Sequence, residues 1–253
     1  MCLAGGMDET AHGVAGARNQ ASAVTWEGAV NAWRISGDVY RMGRREWLTE
    51  TGWNQAYDDG IRTVIDLRNV GERQSRGSDP VVGQDVMARF QVLLAPTEDP
   101  ENVEFRSICR PYLNNPAAYL DNARLFPEKL AAVFKAVAAA PGGVVIHCSA
   151  GRDRSGMIAA MLQDLAGADD YAIVSGYQAA MRGINERHRI HGAPHIHEQY
   201  LDETALAPLL ESRGERVLDF VRRLNTRQYL LQNRVTYEEL SAILALLHGR
   251  VAV

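Results

Sequence analysis

The stretch "GGVVIHCSAGRDRSGMIAA", residues 142–160, limits what this chain can fold into more than any other part of it. A β-branched run, Val144 to Ile146, leads into a thiol, and a loop with one glycine and two arginines follows. From Met157 to Leu165 the chain has the composition of a buried helix, and Gly167 is its stop. A strand that passes into a helix through so short a loop belongs to an α/β core. Gly151 lets the backbone curl so that successive amides point inward, and the amides from Arg154 onward are the unpaired donors of a first helical turn. The loop is therefore an anion cradle built from the backbone of Ser149, Ala150, Gly151, Arg152 and Gly156.

A phosphate held there gains the helix dipole and the planar fork of Arg154, which fits two phosphate oxygens better than an ammonium would. The same field favours a sulfur anion over a thiol, so Cys148 is expected to wait as a thiolate beneath the phosphorus, in line with the leaving oxygen. Attack gives a cysteinyl-phosphate, which water hydrolyses. Ser155 is placed to donate its hydroxyl to the departing thiolate, and His147 to brace the loop through its ring.

The rest of the chain supplies a scaffold of ordinary composition. Of 253 residues, 46% are hydrophobic and 23% charged, and a net charge of −4 gives no reason to expect nucleic acid as a partner. Three widely spaced cysteines, Cys2, Cys109 and Cys148, argue against a disulfide framework and fit a reducing cytoplasm. Residues 1–23 read as a flexible leader without a signal-peptide pattern, and no apolar run reaches the length of a membrane span. A single domain is expected over 24–253. Thr49 to Asp59 reads as a capped helix, 61–68 and 86–96 as strands, and 125–143 as an amphipathic helix feeding "VVIHC". Further helices are expected at about 169–187, 198–210, 214–224 and 236–248. Pro- and Asn-rich residues 97–122, together with 180–212, read as lid segments.

The string "HCSAGRDRSG" closely resembles the HCxAGKDRTG signature of the protein tyrosine phosphatase superfamily, in particular its bacterial tyrosine/serine phosphatases with lipid phosphatase activity. "YRMGRREWLTETGWNQAYDDGIRTVIDLRNVGER" and "YLDNARLFPEKLAAVFKAVA" are similar to further segments of that family. The resemblance implies a phosphatase fold: a central sheet flanked by helices, with a helical lid. It implies Cys148 as nucleophile, Arg154 as phosphate clamp and Ser155 as the hydroxyl aiding departure. Arg152, where the family carries lysine, and Asp153 fill a pair associated there with phosphoinositide as well as phosphotyrosine hydrolysis. The substrates implied are thus a phosphotyrosine protein, with phosphoserine or a phosphoinositide beside it, and no cofactor or metal is required.

A proton donor for the leaving oxygen is expected on the loop after "VLLAP", where Asp99 or Glu98 is the first choice and Asp153 the second. Asp66 is expected to fix the loop through Arg68. Two other classes compete with the hydrolase. One is a phosphate-binding module without turnover. The other is a metal enzyme using His188, His191, His195 and His197, although Gly192 and Pro194 interrupt that set. Arg182, Arg187 and Arg189 read as a solvated helix face before they read as lid residues meeting acidic substrate groups, and Cys109 as a plain loop thiol before a disulfide partner of Cys148.

Overall fold

The strand that carries the cysteine is the centre of the molecule. The computed structural model describes residues 21–109, 113–193 and 198–249, and within them six strands form one sheet. They are β1 Ser22–Ala23, β2 Trp33–Ser36, β3 Val39–Met42, β4 Ile61–Asp66, β5 Gln91–Leu94 and β6 Gly143–His147, in the spatial order β1-β2-β3-β6-β4-β5. The strands β3, β6, β4 and β5 run parallel, and β1 and β2 join antiparallel at one edge. Every residue of β6 is buried, as expected of a parallel strand covered on both faces. Its side chains alternate between two cores: Val144 and Ile146 face one, and Val145 faces the other.

Ten α-helices cover the sheet among the described residues: α1 Glu50–Asp58, α2 Gln84–Met87, α3 Val103–Ile108, α4 Tyr119–Leu125, α5 Pro127–Ala138, α6 Arg154–Leu165, α7 Asp170–His191, α8 Glu203–Leu224, α9 Thr226–Gln232 and α10 Tyr237–Leu247. None is long and apolar enough to cross a membrane. The larger core lies under α4 to α10, whereas Trp26, Trp53 and Phe90 close the opposite face. Thr49 caps α1 by accepting the Gly52 amide at 3.1 Å.

Several boundaries differ from expectation. The leader, expected to reach residue 23, gives way to an edge strand at Ser22, while residues 1–20 lie outside the described set. The strand expected at 86–96 starts only at Gln91, because Gly83 opens the short helix α2. The two helices expected at 198–210 and 214–224 are one helix, α8, which contains Pro208. Gly214 is no breaker there: a Cβ at that position would stand 2.9 Å from Val174 Cγ1, so the glycine lets α8 lie close to α7. Asn225, in the left-handed region at φ 51°, ends α8 and caps α9, a helix the sequence pattern did not announce.

In register, Met42, Asp66 and His147 stand level at the carboxyl ends of β3, β4 and β6. Ligands in open α/β sheets bind beyond those ends. Here the next residue is Cys148.

Candidate active site

The loop from Cys148 to Asp153 keeps its shape because its carbonyls are held from behind. Ser149 O accepts from the Arg44 amide at 3.1 Å. Asn31 Nδ2 donates to Ala150 O at 3.1 Å and Gly151 O at 3.3 Å, and Arg41 Nη2 to Gly151 O at 2.6 Å and Arg152 O at 3.0 Å. Tyr119 OH donates to Asp153 O at 2.9 Å. In a planar trans peptide the N–H points opposite the C=O, so carbonyls turned outward leave the following amides turned inward. Gly151 needs its φ of 71°, and a Cβ there would strike the Met42 and Gly43 backbone at 2.6–2.9 Å. Its amide donates to Cys148 Sγ at 3.3 Å, while Ser155 Oγ lies 3.5 Å from the same sulfur. At that spacing a thiol donates to the hydroxyl and a thiolate accepts from it.

The loop floors a cavity of about 840 Å³ whose wall includes Cys148, Ser149, Ala150, Asp153, Arg154 and Glu98. Arg154, in the first turn of α6, sends both terminal nitrogens to Glu72, each at 2.6 Å, and Nη2 also reaches Ser149 Oγ at 3.2 Å. Glu72 ends a short turn, Val70–Glu72, and its Oε2 also accepts the Asn69 amide. Burial would raise its pKa, but the bonds from Arg154 outweigh that and hold it below the ordinary value. The sequence reading gave Glu72 no role.

The three carboxyl groups considered as proton donor are placed very differently. Glu98 is buried, 3.4 Å from Arg154 Nη1, and its Oε2 has no hydrogen-bond partner among the described residues. Burial, with Glu72 and Asp153 adding to it against the pull of Arg154, pushes its pKa up to about 7. Asp99, named first beside it, is not part of the cavity wall; it turns away and accepts the Glu101 amide at 2.9 Å. Asp153 accepts from Arg152 Nε at 2.9 Å and lies 3.4 Å from Tyr177 OH, so its carboxylate is already engaged.

Gly156 and the side chain of Arg152 face other partners. Gly156 packs behind the loop, where a Cβ would meet Arg41, Tyr119 and Tyr177 at 3.3 Å. Arg152 is 8% exposed, is bound to Asp153 and, at 2.8 Å, to Glu198, and is not part of the cavity wall. His188 Nε2 stands 3.1 Å from the other oxygen of Glu198. His195 lies outside the described residues, as does His197, and among those described no group of three or more His, Cys, Asp or Glu is arranged to hold a metal. Cys109 is a free, buried thiol whose pKa burial raises to about 12.

Beneath the loop, Asp66 binds Arg68 through both carboxylate oxygens at 2.9 Å, and Arg68 continues to Glu46. Burial opposes ionisation of Asp66, but Arg68 and the neighbouring His147 win and bring its pKa to about 2. His147, fully buried, is itself lowered to about 4 by that burial and is a neutral ring; its Nδ1 lies 3.4 Å from the Cys148 carbonyl.

Arg41 is the least anticipated group. It is 3% exposed, no carboxylate lies within ion-pair distance of it among the described residues, and its Nε has no hydrogen-bond partner. Its charge therefore stands behind the loop without a direct ion pair among the described residues, and burial lowers its pKa although Cys148 and Asp153 pull the other way. Replacing Arg41 with Met is expected to weaken inhibition by inorganic phosphate about tenfold, roughly 1.4 kcal/mol. Arg41→Lys should recover only part, because the lysine chain is one atom shorter than the reach to Nη2, the single nitrogen that bonds both carbonyls. An unchanged inhibition constant in both variants would show that the charge plays no part in binding.

Several known proteins are similar to this chain. A tyrosine-protein phosphatase of Nostoc commune is 29% identical over 147 residues, covering 58% of this chain and 47% of the relative, so the match spans about half that protein's length. Among solved structures, P. aeruginosa TpbA is 20% identical, with 86% of this chain and 98% of that one covered at a TM-score of 0.36. The core catalytic domain of the PP-IP phosphatase SIW14 from S. cerevisiae is 12% identical, with 78% and 93% covered at a TM-score of 0.37. The family model described as "Tyrosine phosphatase family" matches residues 31–248. That match begins at the asparagine holding the loop carbonyls and ends just past the last helix, and the chain belongs to the tyrosine phosphatase family.

Proposed function

We propose that this chain hydrolyses phosphomonoesters, phosphotyrosine in proteins or peptides first among them, through a cysteinyl-phosphate on Cys148. The observation that carries the reading is the sulfur lying at the floor of the inward-facing amides, 3.3 Å from the Gly151 nitrogen, with Arg154 on the same cavity wall. In the first step the Cys148 thiolate attacks phosphorus, the S–P bond forms, and the bond to the leaving oxygen breaks as Glu98 gives that oxygen its proton. In the second, water attacks phosphorus, the Glu98 carboxylate takes the water's proton, and the S–P bond breaks with the departing thiolate accepting from Ser155 Oγ. Arg154 and the amides hold the three outer oxygens throughout. Glu72 keeps the guanidinium aimed, which leaves the Nε edge to the phosphate.

The test is capture of the intermediate. Rapid acid quench during turnover of a phosphotyrosine peptide is expected to give one phosphoryl group on the peptide that contains Cys148, with the rate indifferent to chelators. Turnover without that adduct would sink the mechanism, and phosphate binding without turnover would leave only a binding module.

A further inference from the structure

Outside the Cys148 loop, the lining of the cavity also contains the positive charges of Arg44, Arg76 and Arg187. Arg187, on α7, stacks on Trp47 with its guanidinium carbon 3.7 Å from the ring centroid, and both residues line the cavity. No carboxylate pairs with Arg187 among the described residues, nor with the exposed side chain of Arg76 beside it on the same wall. Arg44 is different: Asp79 grips it at 2.8 and 2.9 Å, and Gln74 O accepts from it at 3.2 Å. Burial, together with the charges of Arg44 and Arg76, holds the Arg187 pKa below its ordinary value; the opposing pull of Asp79, which Arg44 already grips, does not offset them.

This group is also fixed in distance from the reacting centre. Asn31, which holds the carbonyls of Ala150 and Gly151, donates from the same nitrogen to Ala180 O at 2.8 Å and so ties α7 to the loop. Arg187 lies two helical turns farther along α7, about 10 Å. The Arg44 amide ties the other side to Ser149 O.

Resting on the phosphatase reading above, we propose that Arg187 on Trp47, with Arg76, forms a second anion subsite that holds a phosphate monoester of the substrate other than the one being hydrolysed. With Asp79 paired to Arg44, two guanidinium groups remain that have no ion pair of their own among the described residues; together they match a phosphate dianion, whereas a peptide carboxylate would neutralise only one of them. A fork backed by an indole is weakly hydrated and gives up little on binding an oxyanion bidentately. The family resemblance paired Arg152 with Asp153 for phosphoinositide as well as phosphotyrosine hydrolysis, but that side chain is bound to Asp153 and Glu198. The structure moves the task from the loop to the rim. The substrate class is a small molecule bearing two phosphate monoesters across a ring or short spacer, either free or as a lipid headgroup.

The test compares kcat/KM for an aryl monophosphate, a free inositol bisphosphate, the same headgroup in phosphatidylcholine vesicles, and phosphotyrosine peptides with and without a neighbouring glutamate. In Arg187→Gln the ratio of bisphosphate to monophosphate efficiency is expected to fall about 10- to 100-fold, mainly through KM, and in Arg76→Gln by a smaller factor. A fall with the free headgroup supports the subsite. A fall confined to vesicles overturns it in favour of a basic face for anionic membranes, and one confined to glutamate-bearing peptides in favour of an acidic peptide. An unchanged ratio also overturns it. Should the wild type fail to hydrolyse the aryl phosphate, the phosphatase reading is what falls. Equilibrium titration with the free bisphosphate then decides the subsite, with weaker binding by Arg187→Gln expected and equal binding overturning it.

Discussion

Cys148→Ser is expected to lower kcat for an aryl phosphate by about 10⁴-fold or more, which is at least about 5 kcal/mol of lost transition-state stabilisation. The substitution replaces sulfur by an oxygen whose alkoxide is inaccessible at neutral pH, and among the described residues no basic side chain is hydrogen-bonded at that position. Ser155 Oγ, 3.5 Å away, and the Gly151 amide are donors to an anion. The carbonyl contacts from Asn31, Arg41, Arg44 and Tyr119 do not involve the sulfur, so the cradle is expected to persist and inorganic phosphate to bind the variant with an affinity within a few-fold of wild type. Phosphate release and phosphate titration on the same preparation separate the two effects. Turnover retained in the serine variant would remove sulfur from the chemistry, and loss of phosphate binding along with turnover would mean that the substitution had broken the loop.

The sequence disclosed the part of this site that is contiguous. Cys148, Gly151, Arg154 and Ser155 fall within one loop and one helical turn, and their order between a strand and an apolar helix is enough to place the cradle. What holds the cradle open could not be read, because its parts come from β3, the turn before β2 and α4: Arg41, Asn31 and Tyr119 lie 110, 119 and 34 positions from their partners in the chain. A lone arginine in "VYRMG" looks like one more charged residue until the parallel pairing of β3 with β6 puts it under the loop. The choice between Glu98 and Asp99 was left open in the sequence for a related reason. Adjacent residues point in different directions, and only the backbone of the turn decides which carboxyl enters the cavity and which caps an amide. The helices were legible where the apolar period was clean, as in α5 and α10. They were misread between 210 and 214, where close packing of Gly214 against α7 outweighs local propensity.

Glu98→Gln is expected to lower kcat/KM for a phosphotyrosine peptide by about 10²- to 10³-fold, with a smaller loss for a nitrophenyl phosphate, whose leaving oxygen needs less help from a proton. The acid must be protonated when the first bond breaks. An ordinary glutamic acid has lost its proton by neutral pH, but burial lifts Glu98 to about 7, so its acid form persists to that point and activity should decline as pH rises through it. In the glutamine variant that descending limb disappears. Stability gives an independent reading with a fixed sign. A carboxyl whose folded pKa is raised favours the folded state most at low pH, and that contribution is lost as pH rises from about 4.5 through about 7. Wild type should therefore lose stability relative to Glu98→Gln over that interval, by on the order of 1–3 kcal/mol, and the variant should melt above wild type at pH 8 but not at pH 5. If instead Asp99→Asn abolishes the descending limb and Glu98→Gln keeps it, the exposed turn swings inward during catalysis and Asp99 is the acid.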